Sequence, residues 1–216
     1  MTVDDRIEQA QLLYEQAVFG GDVEPLVAAD LGLDAVEADL ALARGRVVHA
    51  RFLDERVEGE RELKLFERAS DLHRRLGDVR GEGEAAFWVG AFHQVVRDDN
   101  DTALPSFTRA LELATQAGDH LTMSYALRHL GFIDHVADRL DAARTHFEES
   151  TRLRRDLGFL PGVAANLIGL AHLAAQQGHP QDAASLLTEA TALAEKTKSH
   201  GVLRWVTSTR EELNLP

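Results

Sequence analysis

Cysteine is absent from this 216-residue sequence, and proline is scarce, with five copies. The lack of cysteine excludes disulfide bonds and thiolate chemistry, and the low proline content is typical of a largely helical protein. No apolar run approaches the roughly 18 residues that a membrane-spanning helix requires. The N-terminal stretch MTVDDRIEQA also lacks the basic and apolar regions of a secretory signal. We therefore expect a cytoplasmic protein.

Basic residues are too few to balance the acidic ones. The sequence has 23 Lys and Arg against 36 Asp and Glu, a formal net charge of -13. An acidic surface repels the phosphates of nucleic acids and anionic lipid headgroups. We therefore expect neither nucleic acid nor a membrane among the partners. The abundant residues are Leu, Ala, Glu and Arg, which favour helix, and we expect almost no strand.

A repeat of forty residues becomes visible when the chain is aligned with itself. The three matching segments are TALPSFTRALELATQAGD (102–119), AARTHFEESTRLRRDLGF (142–159) and DAASLLTEATALAEKTKS (182–199). Small and bulky residues recur in them at Ala103, Ala143 and Ala183, at Phe107, Phe147 and Leu187, and at Ala110, Ser150 and Ala190. Steps of four and three residues place these positions on one helix face. The preceding helices keep the same period, so each repeat contains two helices.

This pattern resembles the tetratricopeptide repeat (TPR). The family's signature reads here as Leu127, Leu130, Gly131, Ala143, Phe147 and Ser150, and in the next repeat as Leu167, Leu170, Ala171, Gly178, Ala183, Leu187 and Ala190. Three positions depart from it: Gly90, Asp98 and Asp138. The forty-residue length is similar to that of the repeats in bacterial regulators and kinesin light chains. The resemblance implies an all-α, right-handed solenoid of stacked antiparallel helix pairs that works as a scaffold or adaptor and not as a catalyst.

The repeat also predicts the organisation of the rest of the chain. The segment ERELKLFERASDLHRRLGD (60–78) matches a second repeat helix, whose partner would begin near Asp34. We expect capping helices at 1–33, repeats at 34–78, 79–118, 119–158 and 159–199, and a C-terminal capping helix at 200–216.

The first helix of each pair lines the concave surface of such a solenoid. In YALRHLGFIDH (125–135), Leu127, Leu130 and Asp134 share the side that faces the partner helix. The remaining side and its forty-residue equivalents form the predicted ligand-binding groove, which consists of Trp88, Phe92, Tyr125, Arg128, His129, Phe132, His135, Ile168 and His172. An aromatic wall with a few polar groups is typical of a binding pocket. Arg128 stands out, because a guanidinium can hold a carboxylate or phosphate in a two-pronged fork.

Alternatives remain open for several of these residues. Arg128 either meets an anionic ligand or pairs with an acidic neighbour such as Glu84, and as a partly exposed charge it is expected to contribute little to stability. The histidines are either solvated or functional. Trp88 and Phe92 are either groove surface or covered by the N-terminal helices. The basic strings RLRRD (152–156) and HRRLGD (73–78) are interpreted as solvated helix faces.

No Gly-x-Ser-x-Gly, P-loop or Cys-x-x-Cys motif occurs in the sequence. His135 and His172 supply only two of the three or four ligands that a metal site needs, so we expect no metal and no cofactor. The preferred interpretation is a non-catalytic adaptor that binds a peptide or protein segment carrying an acidic group. A small-molecule sensor or an enzyme with a closed aromatic and histidine pocket is the alternative, and a small anionic ligand is a further possible partner.

Overall fold

In a computed structural model the protein is all-α. The structure describes the backbone of residues 3–215 and the side chains of residues 5–215, and no strand occurs within this part of the chain. Its helices are α1 (Val3–Gly20), α2 (Leu26–Glu55), α3 (Glu62–Leu76), α4 (Val79–Ala91), α5 (Asn100–Ala117), α6 (His120–Val136), α7 (Leu140–Asp156), α8 (Leu160–Gln176), α9 (Pro180–Lys196) and α10 (His200–Glu212). A π-helical segment, Phe92–Val96, continues α4.

The chain divides into two compact units. The N-terminal unit, Met1–Ala117, contains α1 to α5, and the C-terminal unit, Gly118–Pro216, contains α6 to α10. Within each unit every helix packs on the next one in sequence, and in the C-terminal unit α8 also contacts α6 and α10. Both units are thus stacks of helix hairpins of the TPR type. In the described residues no helix has both the length and the apolar character to cross a membrane.

The forty-residue repeat is confirmed as the packing repeat. Its bulky positions Phe107, Phe147 and Leu187 are all 0% exposed. The small residues on the same helix face, Ala103, Ala110, Ala143, Ser150, Ala183 and Ala190, are also completely buried. Small side chains let the two helices of a hairpin approach closely, and the bulky side chain fills the remaining space. Each unit therefore has its own apolar core.

The two aspartates that replace the glycine of the signature keep the left-handed backbone conformation that glycine favours. Asp98 and Asp138 end their helices with φ angles of 54° and 57°, and Gly178 occupies the third such position with a φ of 82°. This left-handed region favours glycine but admits aspartate at moderate cost. The turns between the helices of each hairpin are thus alike despite the changed residue.

The boundary expected after residue 33 falls inside a helix. The capping segment and the first repeat helix form one 30-residue helix, α2 (Leu26–Glu55), and residue 33 lies inside it. No proline interrupts the helix, because Pro25 precedes it, where proline is tolerated, and Gly32 is accommodated within it. Residues 1, 2 and 216 of the expected capping segments lie outside the described residues.

Candidate functional site

Five of the predicted groove residues lie half-buried on the face that α6 shares with α8. These residues are Tyr125, Arg128, Phe132, His135 and His172, and we call the surface they form the α6/α8 face. The opposite side of α6 is buried, as predicted, with Leu127, Leu130 and Asp134 at 7%, 7% and 8% exposure. Ile168 is also buried, so it supports the α6/α8 face from below and offers a ligand little surface.

Arg128 connects α6 to α8 through neutral acceptors. Its Nη1 donates hydrogen bonds to the backbone oxygen of Ala165 at 2.7 Å and to Oδ1 of Asn166 at 3.0 Å. Its guanidinium carbon lies 4.6 Å from the centre of the Phe132 ring, a cation–π contact. Arg128 is thus held in one orientation. The expectation that it contributes little to stability needs correction, since these bonds tie two helices together.

A second arginine, Arg154 of α7, lies beside Arg128 and was missed by the sequence analysis. It is only 1% exposed. Its Nη1 donates to the Gly162 backbone oxygen and to Asn166 Oδ1, both at 2.8 Å, and its Nε donates to Ser124 Oγ at 3.3 Å. The rings of Tyr125 and Phe159 flank the guanidinium, with centres 5.0 and 5.6 Å from its carbon. Its Nη2 is buried without a hydrogen-bond partner.

A signal for Arg154 exists in the sequence. Arg154 lies seven residues after Phe147, which places it on the buried side of α7. Shifting by forty residues in each direction gives Ala114 and Ala194, both buried. The solvated-face interpretation of RLRRD holds only for its outer arginines: Arg152 pairs with Glu149 and Asp156, and Arg155 pairs with Glu189.

Asn166 is the centre of this network. Its amide is completely buried, and its oxygen accepts hydrogen bonds from both arginines. Its Nδ2 donates to Ser150 Oγ at 2.8 Å, and that hydroxyl donates to the backbone oxygen of Ser124. One amide side chain therefore joins α6, α7 and α8.

The network contains two positive charges and no negative one. Within residues 118–215, no carboxylate oxygen lies within 4.0 Å of the Arg128 or Arg154 guanidinium. Burial, together with the charge of Arg154, lowers the pKa of Arg128 to about 9. Burial lowers the pKa of Arg154 to about 10, opposed by the nearby Tyr125. Both groups remain protonated at neutral pH, so an uncompensated charge lies beneath the α6/α8 face of an otherwise acidic chain.

Three histidines, His129, His135 and His172, lie on α6 and α8 near the two arginines. The His135 and His172 rings lie 6.3 Å apart, and the His129 ring contacts Phe132. His135 Nε2 shares a hydrogen bond with Gln176 Oε1 at 2.8 Å, and His172 Nε2 lies 3.9 Å from a Glu212 carboxylate oxygen. Burial lowers the pKa of His172 below its usual 6.5, Glu212 opposes the shift and His135 adds to it. The described residues contain no cluster of three or more ligands suited to a metal ion.

The two predicted groove residues in the N-terminal unit differ from each other. Trp88 is half-buried and stacks on Phe66 with ring centres 5.5 Å apart. Phe92 is 1% exposed, and Arg97 covers its ring at 4.7 Å, so Phe92 belongs to the core and not to an open groove.

The acidic residue considered as a partner of Arg128 is used elsewhere. Glu84 forms its ion pair with Arg46, whose guanidinium also lies over the Trp88 ring at 5.7 Å. This pair belongs to the N-terminal unit. Arg128 therefore has no compensating charge from Glu84.

The structure consists of helix hairpins that repeat every forty residues, and polar side chains cluster on the first helices of these hairpins. These two features define the class of helical-repeat binding proteins. A family model described as tetratricopeptide repeat matches residues 84–156 and 122–196. These two matches cover more than half of the chain, and the chain therefore belongs to the tetratricopeptide repeat family. Repeats of this family generally mediate protein–protein interaction, which supports an adaptor role. No curated protein matches the chain in sequence.

Proposed function

We propose that the protein binds an acidic peptide or protein segment on the α6/α8 face, with Arg128 as the anion-binding residue. The observation that carries this proposal is the pair of guanidiniums, Arg128 and Arg154, held only by neutral acceptors. Burying a charge without an opposite charge is costly. A carboxylate from a partner would supply the missing charge.

The geometry of Arg128 suits this task. Both of its hydrogen bonds come from Nη1, so the edge formed by Nε and Nη2 is available to a carboxylate in the paired, parallel arrangement that guanidinium favours. Arg128 is half-buried, which lets a ligand reach it while limiting competition from water. Tyr125 and Phe132 surround it with aromatic surface, where apolar side chains of the same segment can pack.

A random peptide display library, selected on the intact protein, tests the preference directly. We expect bound peptides enriched in Asp and Glu and depleted in Lys and Arg. Arg128→Gln should weaken binding of a selected peptide by about 10- to 100-fold, because a hydrogen bond to a charged group contributes about 1.5 to 3 kcal/mol. Arg152→Gln, which removes an exposed arginine from α7, is the matched control and should bind like the parent.

Asn166→Asp gives a sharper test, because it places a carboxylate between the two guanidiniums from within the chain. The change keeps the shape of the side chain, and its new charge lies where Asn166 Oδ1 now accepts from Arg128 and Arg154. We expect at least a tenfold loss of acidic-peptide affinity in a protein that stays folded, because the new ion pairs with the two arginines offset the lost hydrogen bond from Asn166 Nδ2 to Ser150 Oγ. Unchanged affinity in a folded Asn166→Asp protein, or selection of basic peptides, would show that the charge does not serve ligand binding.

A further inference from the structure

Exposed apolar side chains are concentrated at one end of the N-terminal unit. Of the 18 large hydrophobic residues that are exposed in the described chain, 13 lie between residues 7 and 57, on α1, on α2 and beside them. End helices of repeat proteins usually present polar faces to water. The exposed sides of α1 and α2 depart from this rule.

The apolar residues on α2 follow a seven-residue spacing. Leu33, Leu40 and Val47 are 41%, 48% and 55% exposed. Seven residues make almost two helical turns, so the three side chains form one stripe along the helix. The stripe lies opposite the buried side of α2, which includes Ala38, Ala41, Leu42 and Gly45. An apolar seven-residue repeat on a long helix is the pattern by which helices pair with each other.

Charged residues beside the stripe keep the same spacing and change sign halfway. They are Asp30, Glu37, Arg44 and Arg51. In an antiparallel pair of identical helices, the acidic half of each would face the basic half of the other. In a parallel pair these residues would lie on opposite edges of the interface and would not meet, so the charge pattern favours the antiparallel arrangement.

We propose that a second copy of this chain packs antiparallel along α2, with the two-fold axis passing at Leu40. Leu33 then packs against the partner's Val47, and Leu40 against the partner's Leu40. Asp30 lies opposite the partner's Arg51, and Glu37 opposite the partner's Arg44. The pairing is self-complementary, as a two-fold interface requires.

The contacts within one chain leave this surface open. Asp30, Arg44 and Arg51 make no ion pair among the described residues. Glu37 binds Arg68 of its own α3 through two hydrogen bonds of 2.6 and 2.7 Å, and its exposed carboxylate has further lone pairs for a second arginine.

The neighbouring helix α1 borders the stripe without covering it. Asp39, which pairs with Arg6 of α1 at 3.3 Å, lies about 100° round the helix from Leu40. Leu33, Leu40 and Val47 themselves remain exposed beside α1, and Ala29, near the start of α2, is the one buried residue on their side of the helix.

Cysteine cross-linking tests the register, because the chain has no cysteine of its own. Leu40→Cys lies on the proposed axis and should give a disulfide-linked dimer on mild oxidation. Val47→Cys alone should not, because the two thiols would be about 21 Å apart along the helices at 1.5 Å per residue, too far for a disulfide. A mixture of Leu33→Cys and Val47→Cys chains should cross-link. Ser185→Cys, exposed on α9, measures random collision.

Charge reversal tests the role of the flanking residues by sedimentation velocity. The parent should form a concentration-dependent dimer, and Arg44→Glu with Arg51→Glu should weaken self-association at least tenfold. The pair Asp30→Arg with Glu37→Arg should do the same, and mixing the two variants should restore dimers. Circular dichroism controls for folding. A parent that stays monomeric, cross-linking of Leu40→Cys no stronger than of Ser185→Cys, or cross-linking of Val47→Cys alone would overturn the proposal.

Discussion

Phe147→Ala removes a fully buried side chain from the core of the C-terminal unit. The ring is 0% exposed and meets Phe132 edge-on with centres 5.2 Å apart. It also touches the backbone of two helices, since a methyl group placed on Gly131 or Gly169 would lie 3.2 or 2.7 Å from it. The ring therefore fills the space between α6, α7 and α8.

The expected loss of stability is large. Replacing a buried phenylalanine by alanine costs about 3 to 5 kcal/mol, and the loss grows with the cavity that remains. Gly131 and Gly169 have no side chains that can move into this cavity, so we expect the upper half of the range. For a urea dependence of about 2 kcal/mol per molar, 4 kcal/mol lowers the unfolding midpoint by about 2 M.

Urea unfolding followed by circular dichroism measures this shift, and amide hydrogen exchange locates it. Protection should fall in α6 to α9 first. Leu157→Ala is the control, because Leu157 is 46% exposed at the end of α7 and its loss should change stability by no more than about 0.5 kcal/mol. If Phe147→Ala unfolded at the same urea concentration as Leu157→Ala, the packing argument for the forty-residue repeat would be wrong.

Two further predictions concern the same unit. Gly169→Ala should destabilise it despite the roughly 1 kcal/mol gain in helix propensity, because the new methyl group would lie 2.7 Å from the Phe147 ring. In the control Gly201→Ala the new methyl group would lie 3.9 Å from the end of the flexible Arg204 side chain, so this change should not destabilise the protein. Urea unfolding midpoints compare the two variants. His172→Gln should reduce the loss of stability between about pH 7.5 and about pH 5.5. The pKa of His172 is lowered in the fold, so the unfolded chain binds the proton more tightly and the parent loses stability as pH falls below 6.5; equal losses in both proteins would contradict this.

The fold could be predicted because packing imposes a period on the sequence. Ala103, Ala143 and Ala183 occupy equivalent buried positions, as stacked helix hairpins of one repeat length require. The extent of α2 could not be predicted in the same way. The helix continues through residue 33, and a resemblance between repeats carries no information about helices that precede the first one.

The candidate site was predictable only in part. The helix periodicity of α6 correctly separated Arg128 from the buried Leu127 and Leu130. It could not reveal that Arg128 is held by Asn166, because that contact joins residues 38 positions apart on different helices. Phe92 was misplaced because it packs in a core cluster with Ala41 and Leu42 of α2 and with Phe66 of α3, and the repeat pattern does not show how these earlier helices pack.

The Asn166 network also bears on how a chain of similar repeats avoids stacking them in the wrong order. At the positions of Asn166 and Arg154, the neighbouring repeats carry Ala126 and Ala114, which bring no polar group. A hairpin from another repeat, inserted here during folding, would satisfy the small and bulky packing pattern but leave buried guanidinium donors without acceptors, a penalty of several kcal/mol. Apolar packing is similar at every junction between repeats. The polar cluster therefore distinguishes the junction of α6, α7 and α8 from the others, and it favours the packing of α7 against these two helices.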